Sequence, residues 1–320
     1  MPTVAIDVTG GHAAPEAPVQ AAAAVSRSTD IDVALVGPAA RIQDLLSACS
    51  YNPEQIQIVD IDGDADAVLE RCVALVTSGE ADTLVTAGHA PSALRACIRG
   101  FRLLPGVTRA PLAAVVPTSP RPGNRDPFAL LLDIGAALRP SADDLVAWAR
   151  MGAAYAARIS RVDAPTVGLL STGRSPLDGP PEVVLAHERL RNDPTLRFVG
   201  NVEGIDIPRG AADVVVCDGF TGQVLIGVLG GVSDALLDAA RGAWDKRLAW
   251  RMGLRLLEGA VVRFKELTDH DDYGGAPLLG FDHTAILALP TSGAATLAKA
   301  VKLAAKAVRE DVVSAVARSL

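Results

Sequence analysis

The chain has 320 residues, 49% of them hydrophobic but only 4% aromatic, enough to bury a sizeable core and too many for a peptide hormone or a disulfide-stapled module. Its apolar weight lies in Ala, Val and Leu, the mix of parallel strands covered by helices. With 30 basic and 37 acidic residues the net charge is −7, a field that disfavours nucleic acid and obliges any acidic protein partner to find a local basic patch.

The N-terminus, MPTVAIDVTGG, lacks the basic region and the cleavage site of a signal peptide and reads as a first strand. No uninterrupted apolar run reaches about 18 residues, which argues against a spanning helix. Apolar runs that stop at glycine then recur along the chain: VAIDVTGG (4–11), VALVGP (33–38), TLVTAGH (83–89), LLLDIG (130–135), VGLLSTG (167–173) and VVVCDGFTG (214–222). Between them lie Ala-rich stretches of helical period, among them 12–27, 64–79, 141–159 and 223–242. The alternation predicts an α/β fold with a mostly parallel sheet, whose right-handed crossovers bring the tips to one carboxyl edge. The Pro-rich segment 117–127 reads as a surface loop, so residues 1–320 are taken as one domain.

Glycine turns ahead of helices expose N–H groups and the positive end of the helix dipole, an arrangement suited to phosphate, although glycine also simply ends strands compactly. Several such turns together would make one anion pocket. Neither GxxxxGK[ST] nor GxGxxG follows a strand, and HExxH and GxSxG are missing, which disfavours a P-loop NTPase, a Rossmann dehydrogenase, a zinc protease and an α/β-hydrolase. The five histidines have no metal-ligand spacing, so no metal is expected. Cys49, Cys72, Cys97 and Cys217 stand far apart and read as free thiols in a reducing cytosol.

The tips resemble those of the PlsX-type phosphate acyltransferases. The likeness runs over nearly the whole chain through IDVTGGHAAP (6–15), TAG (86–88), RAPLAAVVPT (109–118), LLDIGA (131–136), MGAAYA (151–156) and VGLLSTG (167–173), and through the long segments GNVEGIDI (200–207), DVVVCDGFTG (213–222) and YGGAPLLG (273–280). The resemblance implies a three-layer α/β/α architecture like that of isocitrate and isopropylmalate dehydrogenases. It also implies a homodimer without cofactor that transfers a fatty acyl group from acyl carrier protein to inorganic phosphate for phospholipid synthesis. Such an enzyme is cytoplasmic, peripheral at the inner membrane face, and hands its product to a membrane acyltransferase. Several polar positions depart from the family pattern. His12 replaces the aspartate after two glycines, and His89, Ala90 and Pro91 replace Asn-Thr-Gly. Ala137 stands for an asparagine, Gln223 for another, and Ser171 to Ser175 for the segment that leads to a Lys-Gly pair.

The transfer needs no covalent enzyme intermediate, only positioning and stabilisation of the tetrahedral oxyanion. The candidate catalytic residues are Asp218, His89 and Arg174. Asp218 either orients phosphate or caps a helix. His89 either replaces a lost amide as donor or acid/base group, its unperturbed pKa being about 6.5, or faces solvent in a loop. Arg174 either clamps phosphate in place of a lysine or is merely exposed. Candidate substrate-binding residues are Gly10, Gly11, His12, Gly88, Gly135, Gly173, Gly219, Thr221 and Gly222. Asp7 and Asp133 end strands as orienting or structural carboxylates and receive no catalytic role. Segment 242–267 alternates apolar and basic residues at helical spacing, as an interfacial or dimer-contact helix or as a helix packed on the domain. A catalytically impaired homologue that acts as a binding partner, and acyl transfer in a specialised pathway, are the alternative functions.

Overall fold

The computed structural model describes residues 1–119, 127–246 and 274–320. The first half runs β1 (Thr3–Asp7), α1 (Glu16–Ser28), β2 (Asp32–Gly37), α2 (Ala39–Ser47), β3 (Ile56–Asp60), α3 (Ala65–Ser78), β4 (Thr83–Thr86), α4 (Ala90–Gly100) and β5 (Ala113–Pro117). Then come β6 (Phe128–Leu132), α5 (Ala142–Ile159), β7 (Thr166–Leu170), α6 (Pro181–Arg191), β8 (Arg197–Val202), β9 (Val214–Val216) and α7 (Gly219–Lys246). The chain closes with β10 (Ala276–Leu278), β11 (Thr284–Leu287), α8 (Ala294–Arg309) and α9 (Val312–Ser319). The α/β class stands, but the strands divide between two sheets, a six-stranded one ordered β10-β11-β4-β1-β2-β3 and a five-stranded one ordered β5-β6-β9-β7-β8. Each is parallel except for one antiparallel edge strand, β10 or β5. A bridge between Leu112 and Leu278 joins the two sheets beside those edges.

Local chemistry explains where the helices begin. Asp64 caps α3 by accepting the N–H of Ala67 at 2.9 Å, and Gly79 ends it in the left-handed conformation. Ser141 and Asp144 open α5 with a reciprocal capping box.

Strand alternation decides which helix covers which face. From β1, Val4 and Ile6 enter a core with α1 and α8, while Ala5 enters another with α3 and α4. In the second sheet, Leu130, Leu132, Val214 and Val216 pack under α5, α6 and α9, while Leu131 and Val215 face the opposite way, toward Leu225 and Ile226 of α7. That last core is continuous with the one beneath α3 and α4, so the two sheets share an interior.

Two consequences bear on function. In the first sheet, β1 and β4 are neighbours that send their helices to opposite faces. In the second, β9 sends α7 to one face while its neighbours β6 and β7 send α5 and α6 to the other. These are switch points, where open α/β sheets form ligand crevices at their carboxyl ends. Helix α7 also leaves Phe220, Val224, Val228, Val232 and Leu236 exposed along one face. Of segment 242–267, residues 242–246 end α7 and the rest lies outside the described residues.

Candidate active site

The crevice between β1 and β4 is closed by its own atoms. Buried Asp7 accepts from the Thr9 N–H at 2.8 Å, the Thr9 hydroxyl at 2.7 Å, the Gly10 N–H at 3.1 Å and the Thr86 hydroxyl at 2.7 Å. The Gly88 N–H donates to the Thr86 hydroxyl at 2.9 Å. A Cβ on Gly10 would lie 2.6 Å from the Gly88 nitrogen and 2.7 Å from the Asp7 carboxylate, so glycine is required because two strand tips touch. His12 donates its N–H to the Pro290 carbonyl at 2.7 Å and leaves its ring exposed. The N–H groups of Gly10 and Gly88, expected to cradle an anion, are therefore engaged inside the fold. His89 is the exposed residue ahead of α4, and its side chain makes no capping hydrogen bond.

The tips of the second sheet open outward instead. A cavity of about 690 Å³ lies between the start of α7 (Asp218, Thr221, Val224, Leu225, Val228), the loop after β6 (Leu138, Arg139, Pro140) and the loop after β7 (Ser171, Thr172). Glu182 of α6 lines it as well. Behind this cavity, fully buried Asp133 accepts from the N–H groups of Leu112 (2.8 Å), Ala136 (3.1 Å) and Ala137 (2.6 Å), which folds the β6 tip back on itself. Burial raises the Asp133 pKa above the ordinary carboxylate range despite those donors. A Cβ on Gly222 would overlap the Asp133 carbonyl, so the first turn of α7 rests directly on this tip.

Asp218 is half-buried and accepts the Thr221 N–H at 2.9 Å and the Thr221 hydroxyl at 2.6 Å, the geometry of an N-cap on α7. Gly219 donates to the Ala137 carbonyl at 2.9 Å and Gly222 to the Asp218 carbonyl at 3.0 Å. The backbone N–H groups of Gly219 and Gly222, both among the expected substrate-binding residues, thus already have partners within the fold. Gly135, with φ of +129°, approaches the Gln223 side chain. Gly173 packs against the Asp178 carboxylate.

Arg174 is likewise engaged within the fold. Its guanidinium donates to Asp206 at 2.7 Å and lies 3.4 Å from Glu203. The backbone at Glu203 and this guanidinium together hold the Asp206 carboxyl below its usual range. The arginine neutralises a carboxylate at the β8 tip. The loop after β7 is held by a second polar chain. Buried His187 donates from Nδ1 to Asn201 Oδ1 at 2.8 Å, and Asn201 in turn donates to the Ser175 carbonyl at 2.8 Å.

Of the expected site residues, Asp218 and Thr221 line the cavity, and His12, His89 and Arg174 do not. Arg139 and Thr172 line it without having been expected. Among the described residues no hydrogen bond or ion pair engages either side chain, in contrast to Arg174 and to Arg109, which pairs with Asp144 at 2.6 Å. The signal for both was positional, since each follows closely on an apolar run that ends a strand.

The buried cysteines have no place in this site. Cys72, Cys97 and Cys217 are free and buried, and burial pushes the Cys97 thiol up to about 12, far from a reactive thiolate.

Residues 2–315 match the family described as "Fatty acid synthesis protein". The chain belongs to that family. Among its relatives, a phosphate acyltransferase of Synechocystis sp. is 32% identical over 97% of this chain and 91% of its own length. A phosphate acyltransferase of Thermosynechococcus vestitus is 33% identical over 95% and 91%. Solved structures of similar fold include a phosphotransacetylase from Streptococcus pyogenes, with a TM-score of 0.65, 17% identity and coverage of 97% of this chain and 94% of that one. A 4-hydroxythreonine-4-phosphate dehydrogenase from Klebsiella pneumoniae follows at a TM-score of 0.55, with 14% identity and coverage of 96% and 98%. At such identities the likeness establishes the fold, an α/β architecture shared by phosphotransacetylases and dehydrogenases.

Proposed function

We propose that the protein is an acyltransferase that moves a fatty acyl group from acyl carrier protein to inorganic phosphate, giving an acyl phosphate for phospholipid synthesis. The observation that carries this reading is the cavity beside β9, which combines three polar side chains without a partner among the described residues, Arg139, Thr172 and Glu182, with an apolar wall that includes Leu145, Leu170, Val183, Val224 and Val228. The names of the relatives, phosphate acyltransferase, agree with it.

In this mechanism a phosphate oxygen attacks the thioester carbonyl, a C–O bond forms, the C–S bond breaks, and the proton lost by phosphate ends on the carrier's thiol. The guanidinium of Arg139 holds the dianion through charge-assisted hydrogen bonds, and the Thr172 hydroxyl adds a donor. Asp218 keeps the first turn of α7, and with it Thr221, in register with the loop that carries Arg139. A fixed arrangement of this kind acts by positioning and electrostatic stabilisation, so the reaction requires no nucleophilic side chain.

The proposal includes a cytoplasmic homodimer, supported by the exposed apolar face of α7, and contact with the inner membrane face, where a membrane acyltransferase would take the product. The test is direct. Incubation of the purified protein with palmitoyl-acyl carrier protein and phosphate is expected to yield palmitoyl phosphate. Absence of product, with an active relative run in parallel, overturns the reading.

A further inference from the structure

A second cavity, of about 570 Å³, adjoins the first. It runs between α4 (Leu94, Ile98), the chain from Leu103 to Ala110, Phe281 and the loop Ala136 to Arg139. Leu138 and Arg139 line both cavities, so they form a shared wall rather than the rim of either one alone. Each volume falls within the range of about 300–1,000 Å³ common for small-molecule sites.

Both cavities are mostly apolar, and they differ in the polar side chains they present, since Thr172, Glu182, Asp218 and Thr221 line only the first. The polar side chains facing the second one are Thr108, Arg109 and Arg139. Thr108 donates its hydroxyl to Asp144, and Arg109 pairs with the same carboxylate at 2.6 Å. Arg139, on the shared wall, is left as the one lining cation without a partner among the described residues. The remaining lining is carbon, and three of its side chains are open to solvent, Ile98 by 59%, Leu103 by 41% and Leu138 by 63%. Away from its arginines and Thr108, the groove has no polar side chain to offer a polar metabolite. It suits a flexible aliphatic chain whose polar end stays at the shared wall, because each methylene removed from water strengthens binding, by roughly fourfold in affinity.

Given the acyl-transfer reading, on which this step rests, we infer that the groove between α4 and the β6 tip is the seat of the fatty chain. The thioester then lies across the Leu138–Arg139 wall, in reach of Thr172 and Thr221 in the first cavity. The order of chemistry along the two cavities, polar at Thr172 and Asp218, cationic at Arg139 and apolar from Leu138 to Ile98, is the order along a long-chain acyl thioester meeting phosphate. Closure of the groove therefore acts on chain length rather than on the chemical step.

The experiment titrates the intact protein with the fluorescent fatty acid cis-parinaric acid, with palmitate and butyrate as competitors, and repeats it with Ile98→Trp, which fills the groove, and Leu103→Asp, which charges it. Both positions are solvent-exposed, and a circular dichroism melt confirms that each variant is folded. The wild type is expected to bind the probe and release it to palmitate but not butyrate, and each variant to bind about tenfold more weakly or worse. In parallel, Ile98→Trp is expected to cut the preference for palmitoyl- over butyryl-acyl carrier protein, measured as the ratio of kcat/KM values, by about tenfold. Failure of the wild type to bind, or binding by both variants at wild-type strength, overturns the inference. An unchanged chain-length ratio in an active Ile98→Trp enzyme overturns it too. Probe binding is read without turnover, so a protein that holds the probe in this groove yet makes no acyl phosphate refutes the acyl-transfer reading and leaves the groove assignment standing.

Discussion

The two switch points of this molecule are built from the same kinds of residue and end differently. At the tips of β1 and β4, Asp7, Thr9, Thr86, Gly10 and Gly88 satisfy one another, and the glycines let two backbones touch. Beside β9, Asp133 gathers the backbone of its own loop in the same manner, but the next residues, Leu138 and Arg139, project into open space over a cavity of about 690 Å³. An aspartate that closes an apolar strand with glycine close after it therefore indicates a tight tip. Whether that tip binds anything depends on the residues that leave it, and on whether their polar groups already have partners.

The strongest way to break this comparison is to remove the cation at the cavity wall, Arg139. A hydrogen bond to a charged group is worth about 1.5–3 kcal/mol, so Arg139→Ala is expected to lower kcat/KM for phosphate by about 10- to 100-fold, with Arg139→Lys recovering part of it. Thermal stability should not move, because among the described residues no hydrogen bond or ion pair depends on this side chain. A variant as active as the wild type would show that phosphate is held elsewhere.

The counterpart at the other switch point is Gly10→Ala. Its methyl group would press on the Gly88 nitrogen and the Asp7 carboxylate, and overpacking of this kind costs about 1–3 kcal/mol. Urea unfolding is expected to show that loss while activity per folded molecule persists. A stable but inactive Gly10→Ala protein would mean that the first-sheet crevice does bind substrate, and the contrast between the two tips would fall.

A third test addresses the wall of the apolar groove. Burial alone would raise the pKa of Asp144, but hydrogen bonds from Thr108, Ser141 and Arg109 hold it below the ordinary range. A carboxylate whose native pKa is depressed stabilises the fold above its unfolded value, about 3.9, and loses that contribution as pH falls through the native one. Asp144→Asn is therefore expected to be less stable at neutral pH and to show a shallower loss of stability between neutrality and the acid range, read from denaturant midpoints across pH. An unaltered pH slope would remove Asp144 from the groove wall's support.

The limits of reading this architecture from sequence follow from the same tips. Strands that end in glycine stood out, and helices with a clear cap or period, α1, α3, α5 and α7, fell within a few residues of their expected spans. β3 ends in Asp60, β8 carries its glycine inside the strand, and β11 runs into Ala288 and Leu289. None of the three carries a terminal glycine, so a rule keyed to glycine passed them over. The division into two sheets was not visible because parallel pairing joins residues far apart in the chain, such as Thr83 with Thr284, and no local pattern encodes that choice. For the site, residue type marked Asp218 and Thr221. It also marked Arg174, whose partners Asp206 and Glu203 lie about thirty residues on and appear only in three dimensions. Arg139 has the opposite history, a residue of no distinctive pattern that matters because no hydrogen bond or ion pair engages its side chain among the described residues.

Asp218 supplies the smallest effect and the finest discrimination. Both of its oxygens are engaged by Thr221, so its visible work is to cap α7. Loss of an N-cap typically costs about 1 kcal/mol, and serine at the same place can accept the same N–H bond. If capping is its whole contribution, Asp218→Ser should keep stability and turnover close to wild type, while Asp218→Ala should lose about 1 kcal/mol in a thermal melt and, through a frayed first turn, some turnover as well. If instead the carboxylate itself meets phosphate or the attacking oxygen, both variants should lose turnover alike whatever their stability, and the charge rather than the cap becomes the reason an aspartate stands at the one strand tip that opens onto the cavity from α7.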